Sequence, residues 1–166
     1  MGKLRICEYP DPALRVRCSE VERVDSELLS LLSDMAETMY AARGIGLAAP
    51  QVAYDRRVAV VDVGEGRLYK LINPVIVERE GCVDSEEGCL SFPSERNTVK
   101  RSSRVFLRAL NEDERELEIE ADSLFAICLQ HELDHLDGKL MIDNLSRLKK
   151  KLLDSRMAKR KATRKV

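Results

Sequence analysis

The hydrophobic positions of this chain follow two periods, one typical of helices and one typical of strands. Between Asp25 and Gly44, apolar residues recur every three or four positions, so we predict a helix capped by Asp25 and ended by Gly44. Four segments rich in β-branched residues predict strands: 57–63, 69–77, 99–110 and 116–121. Gly64 and Gly66 lie between the first two of these segments and predict a turn.

Two more helices are predicted in the C-terminal part of the chain. One begins near Asp122 or Ser123 and ends at Gly138, and the next begins at Ser146. The order helix, strands, helix, helix predicts an α+β fold, with mixed or antiparallel β-sheets surrounding the helix that starts near Asp122. Nothing in the composition divides the chain. We therefore expect one domain with a main body, residues 1–146, and a basic C-terminal helix or tail, residues 147–166.

Length and cysteine content indicate an intracellular globular protein. The 166 residues can bury a sizeable core, and the five cysteines lack the spacing of a secreted disulfide framework. No signal segment precedes Cys7, and no apolar run approaches the roughly 18 residues that a membrane span needs. We expect reduced thiols, a cytoplasmic location and no membrane partner.

Charge is distributed unevenly along the chain. Residues 146–166 carry ten basic side chains and one acidic side chain, a net charge of +9, whereas residues 1–145 carry −10. A basic segment of this kind is typical of contact with RNA or another polyanion, or simply of a solvated helix face. We expect no DNA partner.

The two histidines of the chain, His131 and His135, lie four residues apart in the sequence H-E-L-D-H. On a helix this spacing places both imidazoles on one face, one turn apart, with Glu132 beside them. Two imidazoles on one face can bind a single divalent metal ion, and the glutamate can act as a general base. The alternative is two ordinary surface histidines on a helix, although chance alone would seldom give this spacing.

Two histidines do not complete a metal site, so the third ligand has to come from elsewhere. In zinc proteases with this motif a further histidine or glutamate follows, but the chain has neither after His135, which argues against a metalloprotease. The remaining soft ligands are Cys82 and Cys89, each preceded by Glu-Gly. One thiolate would leave a position open for water and predict a catalytic site, whereas two thiolates would close the site and make it structural. The residues themselves leave this choice open.

The histidine helix also predicts a substrate pocket. Leu124, Ile127 and Cys128 lie seven, four and three residues before His131, and therefore on the same face of the helix. They can form an apolar wall beside the metal, or they can be ordinary core residues.

Three segments resemble the three motifs of the bacterial peptide deformylases in sequence, order and spacing. They are residues 44–51 (GIGLAAPQ), 87–91 (EGCLS) and 130–138 (QHELDHLDG). Shorter matches at residues 9–12, 72–74 and 144–146 extend the resemblance over almost the whole chain. The resemblance implies a hydrolase, with its catalytic domain in residues 1–146, that removes the formyl group from the N-terminal formylmethionine of nascent polypeptides and releases formate.

The resemblance also implies the composition of the metal site. It makes Cys89, rather than Cys82, the third ligand beside His131 and His135. It makes Glu132 the general base, which takes a proton from the attacking water and later delivers it to the leaving nitrogen.

The oxyanion that forms during hydrolysis needs hydrogen-bond donors already aimed at it. By resemblance these donors are the Gln51 side-chain amide and the Leu90 backbone N–H, although Gln51 could also be an ordinary loop residue. The resemblance also places Arg96 near the substrate backbone, although Arg96 could be an ordinary surface charge. The resemblance and the helix face together predict these residues around the substrate: Gly44, Ile45, Gly46, Glu87, Gly88, Arg96, Leu124, Ile127 and Cys128.

Ligand types do not identify the metal, because one cysteine and two histidines also suit zinc. The resemblance implies Fe(II) as the physiological ion, with Ni(II) or Co(II) supporting activity and Zn(II) usually less so. Since formylated chains emerge from the ribosome, we predict that the basic segment 147–165 contacts the ribosome surface.

Overall fold

The computed structural model describes residues 2–164 and combines a five-stranded sheet, a two-stranded hairpin, three α-helices and two short 3₁₀ helices. The α-helices are α1 (Ser26–Ala41), α2 (Ser123–Leu136) and α3 (Arg147–Thr163), and the 3₁₀ helices are Pro12–Arg15 and Ala49–Val52. The strands are β1 (Gly46–Ala48), β2 (Val58–Val61), β3 (Tyr69–Glu80), β4 (Val83–Cys89), β5 (Phe92–Arg101), β6 (Arg104–Leu110) and β7 (Glu116–Asp122). This combination of helices and antiparallel sheets confirms the predicted α+β class.

The five-stranded sheet has the order β1-β2-β3-β6-β7, and each neighbouring pair is antiparallel. β2 is apolar and buried along its whole length, as expected for a strand covered on both faces. Pro74, which has no N–H to donate, lies in β3 where its pairing with β6 shifts register, between Ile72 and Val75. The hairpin β4–β5 is hydrogen-bonded separately from this sheet.

Helix α2 packs against the five-stranded sheet and carries both histidines. It begins at Ser123, as predicted, and is followed by Gly138 in the left-handed backbone conformation, with φ 70°. Leu129 and Leu133 are buried in a cluster with apolar residues of β2, β3, β6 and β7. This packing fixes the helix face from which the histidines project.

Helix α1 begins as predicted but ends differently. The Asp25 side chain accepts a hydrogen bond from the Leu28 backbone N–H (2.9 Å). The helix ends three residues before Gly44, and Arg43 takes the left-handed conformation (φ 57°) that was expected of the glycine. Gly44 instead donates its N–H to the Met39 carbonyl (2.9 Å), which satisfies a carbonyl of the last turn.

The prediction of a single strand over residues 99–110 is wrong. In the structure these residues belong to two strands, which lie in different sheets. β5 ends at Arg101 and β6 begins at Arg104. The chain turns at Ser102, whose backbone N–H donates to the Gln130 side chain of α2 (2.9 Å). Two strands were not predicted: β1, whose glycines indicated a loop, and β4, whose acidic sequence has low strand propensity.

Helix α3 begins at the predicted position, where Ser146 accepts a hydrogen bond from the Lys149 N–H (3.3 Å). Its residues Leu153 and Met157 are buried in a cluster that includes Phe92 of β5. The basic segment therefore packs on the main body through one apolar stripe.

The described part of the basic segment ends at Arg164, and Lys165 and Val166 lie outside the described residues. Across residues 2–164, no helix has both the length and the apolar character needed to cross a bilayer.

Candidate metal centre and active-site cleft

Three possible metal-ligand atoms meet where β4 ends beside α2. The Sγ of Cys89 lies 3.3 Å from Nε2 of His135, and this nitrogen lies 3.2 Å from Nε2 of His131. All three donor atoms lie within 4.8 Å of one another. The strand end and the i, i+4 pair on the helix thus present one sulfur and two nitrogens to a common point.

The donor set fits a divalent metal ion. One thiolate and two imidazoles suit zinc or iron and leave a position open for a water molecule. Burial lowers the pKa of His135 well below its ordinary value, which keeps this imidazole neutral and able to bind a metal. Burial also opposes protonation of His131, but Cys89, Glu87 and Glu132 outweigh it and raise the pKa of this histidine. These three side chains place negative charge beside His131.

The structure does not bring Cys82 to the donor set. Cys82 is exposed next to the turn between β3 and β4, and the group of possible ligands within residues 2–164 consists of Cys89 and the two histidines. A closed site with two cysteines and two histidines is therefore not supported. Cys7 and Cys18 are buried in the core.

Glu132 is buried and packs tightly against β1. Its side chain is 3% exposed, and its Oε2 has no hydrogen-bond partner among the described residues. Burial raises the pKa of this carboxyl group to about 7. A Cβ atom on Gly46 would overlap the Glu132 carboxylate, so β1 approaches α2 as closely as a glycine permits.

Gln51 is buried in the turn after β1, and its amide orientation is fixed from both ends. Its Oε1 accepts a hydrogen bond from the Ala48 N–H (2.9 Å). Its Nε2 donates to Ser91 Oγ (3.2 Å) and points to Cys89 Sγ (3.6 Å). The N–H side of the amide is therefore turned toward the donor set.

A cleft of about 790 Å³ opens beside these groups. Leu90 lines it, and so does each residue predicted to surround the substrate: Gly44, Ile45, Gly46, Glu87, Gly88, Arg96, Leu124, Ile127 and Cys128.

Three comparisons with known proteins agree with the fold. The family model described as polypeptide deformylase matches residues 3–151. A peptide deformylase of Alkalilimnicola ehrlichii is 48% identical over 96% of this chain and 91% of its own length. The crystal structure of a peptide deformylase from Legionella pneumophila superposes with a TM-score of 0.93 at 40% identity, covering 98% of this chain and 97% of that one. The crystal structure of a peptide deformylase from Ehrlichia chaffeensis in complex with actinonin superposes with a TM-score of 0.94 at 37% identity, covering 96% of this chain and 98% of that one.

The chain belongs to the polypeptide deformylase family. It is a metal-dependent hydrolase that acts on nascent peptides and removes their N-terminal formyl group. The resemblance seen in the three sequence motifs is thereby confirmed.

The structure adds detail on three of the residues predicted to surround the substrate. Leu124 is 50% exposed and Ile45 is 41% exposed, so both lie at the rim, and Leu124 is not a core residue. Glu87, expected to contact the substrate, has both carboxylate oxygens occupied by Arg101, and His131 Nδ1 also lies 2.8 Å from one of them.

Arg96 is exposed at the same rim, and its Nε donates to Glu86 Oε1 (2.8 Å). This pairing allows either of the two interpretations given above, a substrate contact or a surface charge.

Sequence reasoning missed Arg101 and Ser91, which form hydrogen bonds with Glu87 and Gln51, two of the predicted site residues. Ser91 accepts the hydrogen bond from Gln51 and is fully buried. Arg101 is buried although it is charged. A signal was available for Arg101, because the two-residue period of a strand places it on the same face as the apolar Val99.

Proposed function

We propose that this deformylase binds one divalent metal ion through Cys89, His131 and His135, with Glu132 as its general acid and base. The observation that carries the proposal is the unpaired, buried Oε2 of Glu132 beside three converging metal-donor atoms. A buried polar atom without a protein partner is rare unless it serves a ligand or a water molecule. Here the partner is the water that attacks the formyl carbonyl.

We propose Fe(II) as the physiological ion, with Ni(II), Co(II) or Zn(II) able to occupy the same donors in a preparation. When bound, a divalent ion at this position lowers the pKa of a water molecule to near neutrality and polarises a carbonyl oxygen. His131 can offer Nε2 as a ligand because Glu87 accepts from its Nδ1.

Glu132 then moves one proton in two steps. Its carboxylate takes the proton from the attacking water, and it delivers this proton to the methionine nitrogen as the bond to the formyl carbon breaks. Formate and a free amino terminus are the products. A pKa of about 7, raised by burial, lets the same group accept and release a proton near neutral pH, although a bound cation would lower that pKa.

The Gln51 amide and the Leu90 backbone N–H are proposed to stabilise the oxyanion. The proposal is supported by the fixed orientation of Gln51, whose oxygen is already occupied by the Ala48 N–H. Donors that do not have to reorganise can contribute about 3 to 4 kcal/mol to transition-state stabilisation.

The methionine side chain of the substrate is proposed to lie between α2 and the segment before β1. Ile127 and Cys128 line this part of the cleft, with Leu124 and Ile45 at its rim. Cys128 is suited to be an apolar wall and not a nucleophile, because burial raises the pKa of its thiol well above its ordinary value.

Release of formate from formyl-Met-Ala-Ser tests the proposal most directly. The Fe(II)-loaded protein is assayed without oxygen beside Glu132→Gln, which keeps the volume of the side chain but cannot carry the proton. We expect the variant to retain its metal and to lose at least about 100-fold in kcat. Full activity of the metal-loaded variant would exclude Glu132 as the acid and base.

The identity of the ion is tested separately, by comparing preparations loaded with Fe(II) and with Zn(II). We expect the Fe(II) form to be the more active one and to lose activity in air, through oxidation of the ion or of Cys89. An aerobic Zn(II) preparation with full activity would contradict Fe(II) as the physiological ion.

We further propose that α3 binds the ribosome surface, which would hold the enzyme in the cytoplasm near its substrate. The proposal is supported by the net charge of +9 in residues 146–166 and by Leu148 and Leu152, which are exposed on α3. Deleting the helix would expose the core at Leu153 and Met157, so substitution of exposed lysines is the cleaner experiment.

Co-sedimentation with ribosomes at several salt concentrations measures this contact. The α3 variant replaces three exposed lysines with glutamine: Lys151, Lys159 and Lys161. The matched control replaces three exposed lysines outside α3: Lys3, Lys100 and Lys139. We expect only the α3 variant to bind more weakly and with a smaller salt dependence, because fewer counterions are released. Equal effects of both variants would contradict a specific role of α3.

A further inference from the structure

We propose that Arg101 positions the two halves of the metal-donor set relative to each other. The proposed ligands come from two parts of the fold. Cys89 belongs to the hairpin β4–β5, whereas the two histidines belong to α2, which packs against the five-stranded sheet. The inference rests on the proposed metal site and concerns what holds its donor atoms in place.

One buried guanidinium spans these two parts of the structure. The Arg101 side chain is 6% exposed, and its Nε and Nη2 donate to the two carboxylate oxygens of Glu87 on β4 (2.8 and 3.0 Å). Its Nη1 donates to Asp134 Oδ2 on α2 (2.5 Å). Arg101 itself is the last residue of β5, so three elements meet at this side chain.

Each end of this connection lies close in sequence to a proposed ligand. Glu87 is two residues before Cys89 on the same strand, and Asp134 is three residues after His131 on the same helix. Arg101 therefore sets the distance between the strand that carries the sulfur and the helix that carries the nitrogens. Such a constraint preorganises the donor atoms before an ion binds.

Arg101 also acts on the orientation of one imidazole. Because both oxygens of Glu87 are held by Arg101, the carboxylate stays fixed 2.8 Å from Nδ1 of His131. Nδ1 donates its proton to this carboxylate, and Nε2 then presents its lone pair toward Cys89 and His135. Arg101 is thus a positioning residue that works through Glu87.

Arginine is suited to this position and lysine is not. Three hydrogen bonds to two carboxylates require a planar group with several fixed donors, which the guanidinium provides. A lysine would keep the positive charge between Glu87 and Asp134 but would lose the paired contact with Glu87. Arg101→Lys therefore changes the geometry of the connection while retaining its charge.

Binding of Co(II) to the metal-free protein is the measurement that tests the proposal. Affinity is measured by competition with a chelator, and the visible absorption spectrum of bound Co(II) reports the geometry of its ligands. We expect Arg101→Lys to bind Co(II) about 10- to 100-fold more weakly and with an altered spectrum. Asp134→Asn, which weakens only the contact to α2, is expected to show a smaller loss in the same direction.

Arg104→Lys is the matched control, since Arg104 lies just beyond Arg101 but forms exposed ion pairs with Glu80 and Glu120. Thermal unfolding of each metal-free protein is measured in parallel. A merely stabilising role would lower Tm without changing the affinity for Co(II) or its spectrum.

Wild-type affinity and spectrum in a folded Arg101→Lys protein would overturn the proposal. If Arg101→Lys does not fold, wild-type affinity and a wild-type spectrum in Asp134→Asn would overturn the proposal. Failure of the wild-type protein to bind Co(II) through Cys89 is a different result, because it would contradict the proposed metal site itself.

Discussion

The carboxylate of Glu132 occupies the space that a Cβ atom on Gly46 would need. The same Cβ atom would also lie only 2.9 Å from Sγ of Cys128. The glycine is required here for close approach and not for an unusual backbone angle, because the φ of Gly46 is not positive. Edge strand β1 thereby holds the proposed general base against the metal donors.

Gly46→Ala is therefore expected to displace Glu132 from its position. A shift of about 1 Å in a reacting group can cost roughly 100-fold in rate, so we predict a fall of that size in kcat. Metal content should be unchanged, because the three atoms nearest to the added Cβ belong to Glu132 and Cys128 and not to the donor set. Gly2→Ala is the control, since no atom lies within 4 Å of its Cβ position. Steady-state kinetics that leave Gly46→Ala equal to the control would contradict the requirement for close approach.

The two Glu-Gly-Cys sequences make a matched pair for testing the metal ligands. Cys82 is exposed and outside the donor set, whereas Cys89 Sγ lies 3.3 Å from His135 Nε2. We predict that Cys82→Ser binds Co(II) like the wild type and keeps the sulfur-to-cobalt charge-transfer band. Cys89→Ser should lose the band. Its affinity for Co(II) should also fall by more than the roughly 10- to 100-fold that is typical when a hydrogen-bond partner of a metal ligand is removed. Loss of the band in Cys82→Ser would restore the closed, structural site.

Those parts of the site that lie on one helix could be predicted from the sequence. A helix repeats every 3.6 residues whatever surrounds it, so the spacing of His131 and His135 was enough to place them on one face. The alignment of Leu124, Ile127 and Cys128 with that face followed from the same period, and all three line the cleft.

Contacts between distant segments could not be predicted in this way. The choice between Cys82, before β4, and Cys89, at its end, depends on which end of this strand reaches α2, and strand pairing is not encoded in local spacing. Arg101 ends β5 instead of continuing a longer strand, because the chain turns at Ser102 to bond with Gln130. Tertiary contacts here outweigh the local preference for one continuous strand.

Gln51 offers a test of the proposed oxyanion site. Its Nε2 donates to Ser91 and points toward Cys89, while its Oε1 accepts from the backbone of Ala48. We predict that Gln51→Leu loses about 100- to 1000-fold in kcat, because it removes a donor aimed at the developing charge.

Ser91→Ala is the companion variant for Gln51. It keeps the amide but removes the acceptor that orients it, so we expect a smaller fall in kcat and a loss of about 1 kcal/mol in the free energy of unfolding. Both variants are measured at saturating substrate with metal content confirmed. A larger loss in kcat for Ser91→Ala than for Gln51→Leu would contradict the Gln51 amide as the main donor to the oxyanion.

An ion pair adds to the apolar packing that attaches α3 to the main body, and its strength should vary with pH. Arg156 of α3 donates from Nε and Nη2 to the carboxylate of Glu95 on β5, at 2.9 and 2.7 Å. The hydrogen bond from Arg156 lowers the pKa of Glu95 from its ordinary value of 4.5, although burial opposes this effect. A carboxyl group whose pKa is lower in the folded protein stabilises the fold above the unfolded pKa and loses this effect as the pH falls.

We therefore predict that Glu95→Gln lowers Tm at pH 7, by at most about 4 °C because the pair is partly exposed. The difference in Tm between the variant and the wild type should begin to shrink as the pH falls below 4.5 and should vanish below the lowered pKa of folded Glu95, where the wild-type carboxyl group is also neutral. Glu118→Gln, which removes an exposed pair with Arg108, is the control and should change Tm little at any pH. Calorimetry of the metal-free proteins between pH 7 and pH 3 measures both differences. A constant difference across this range would mean that Glu95 stabilises α3 through packing and not through its charge.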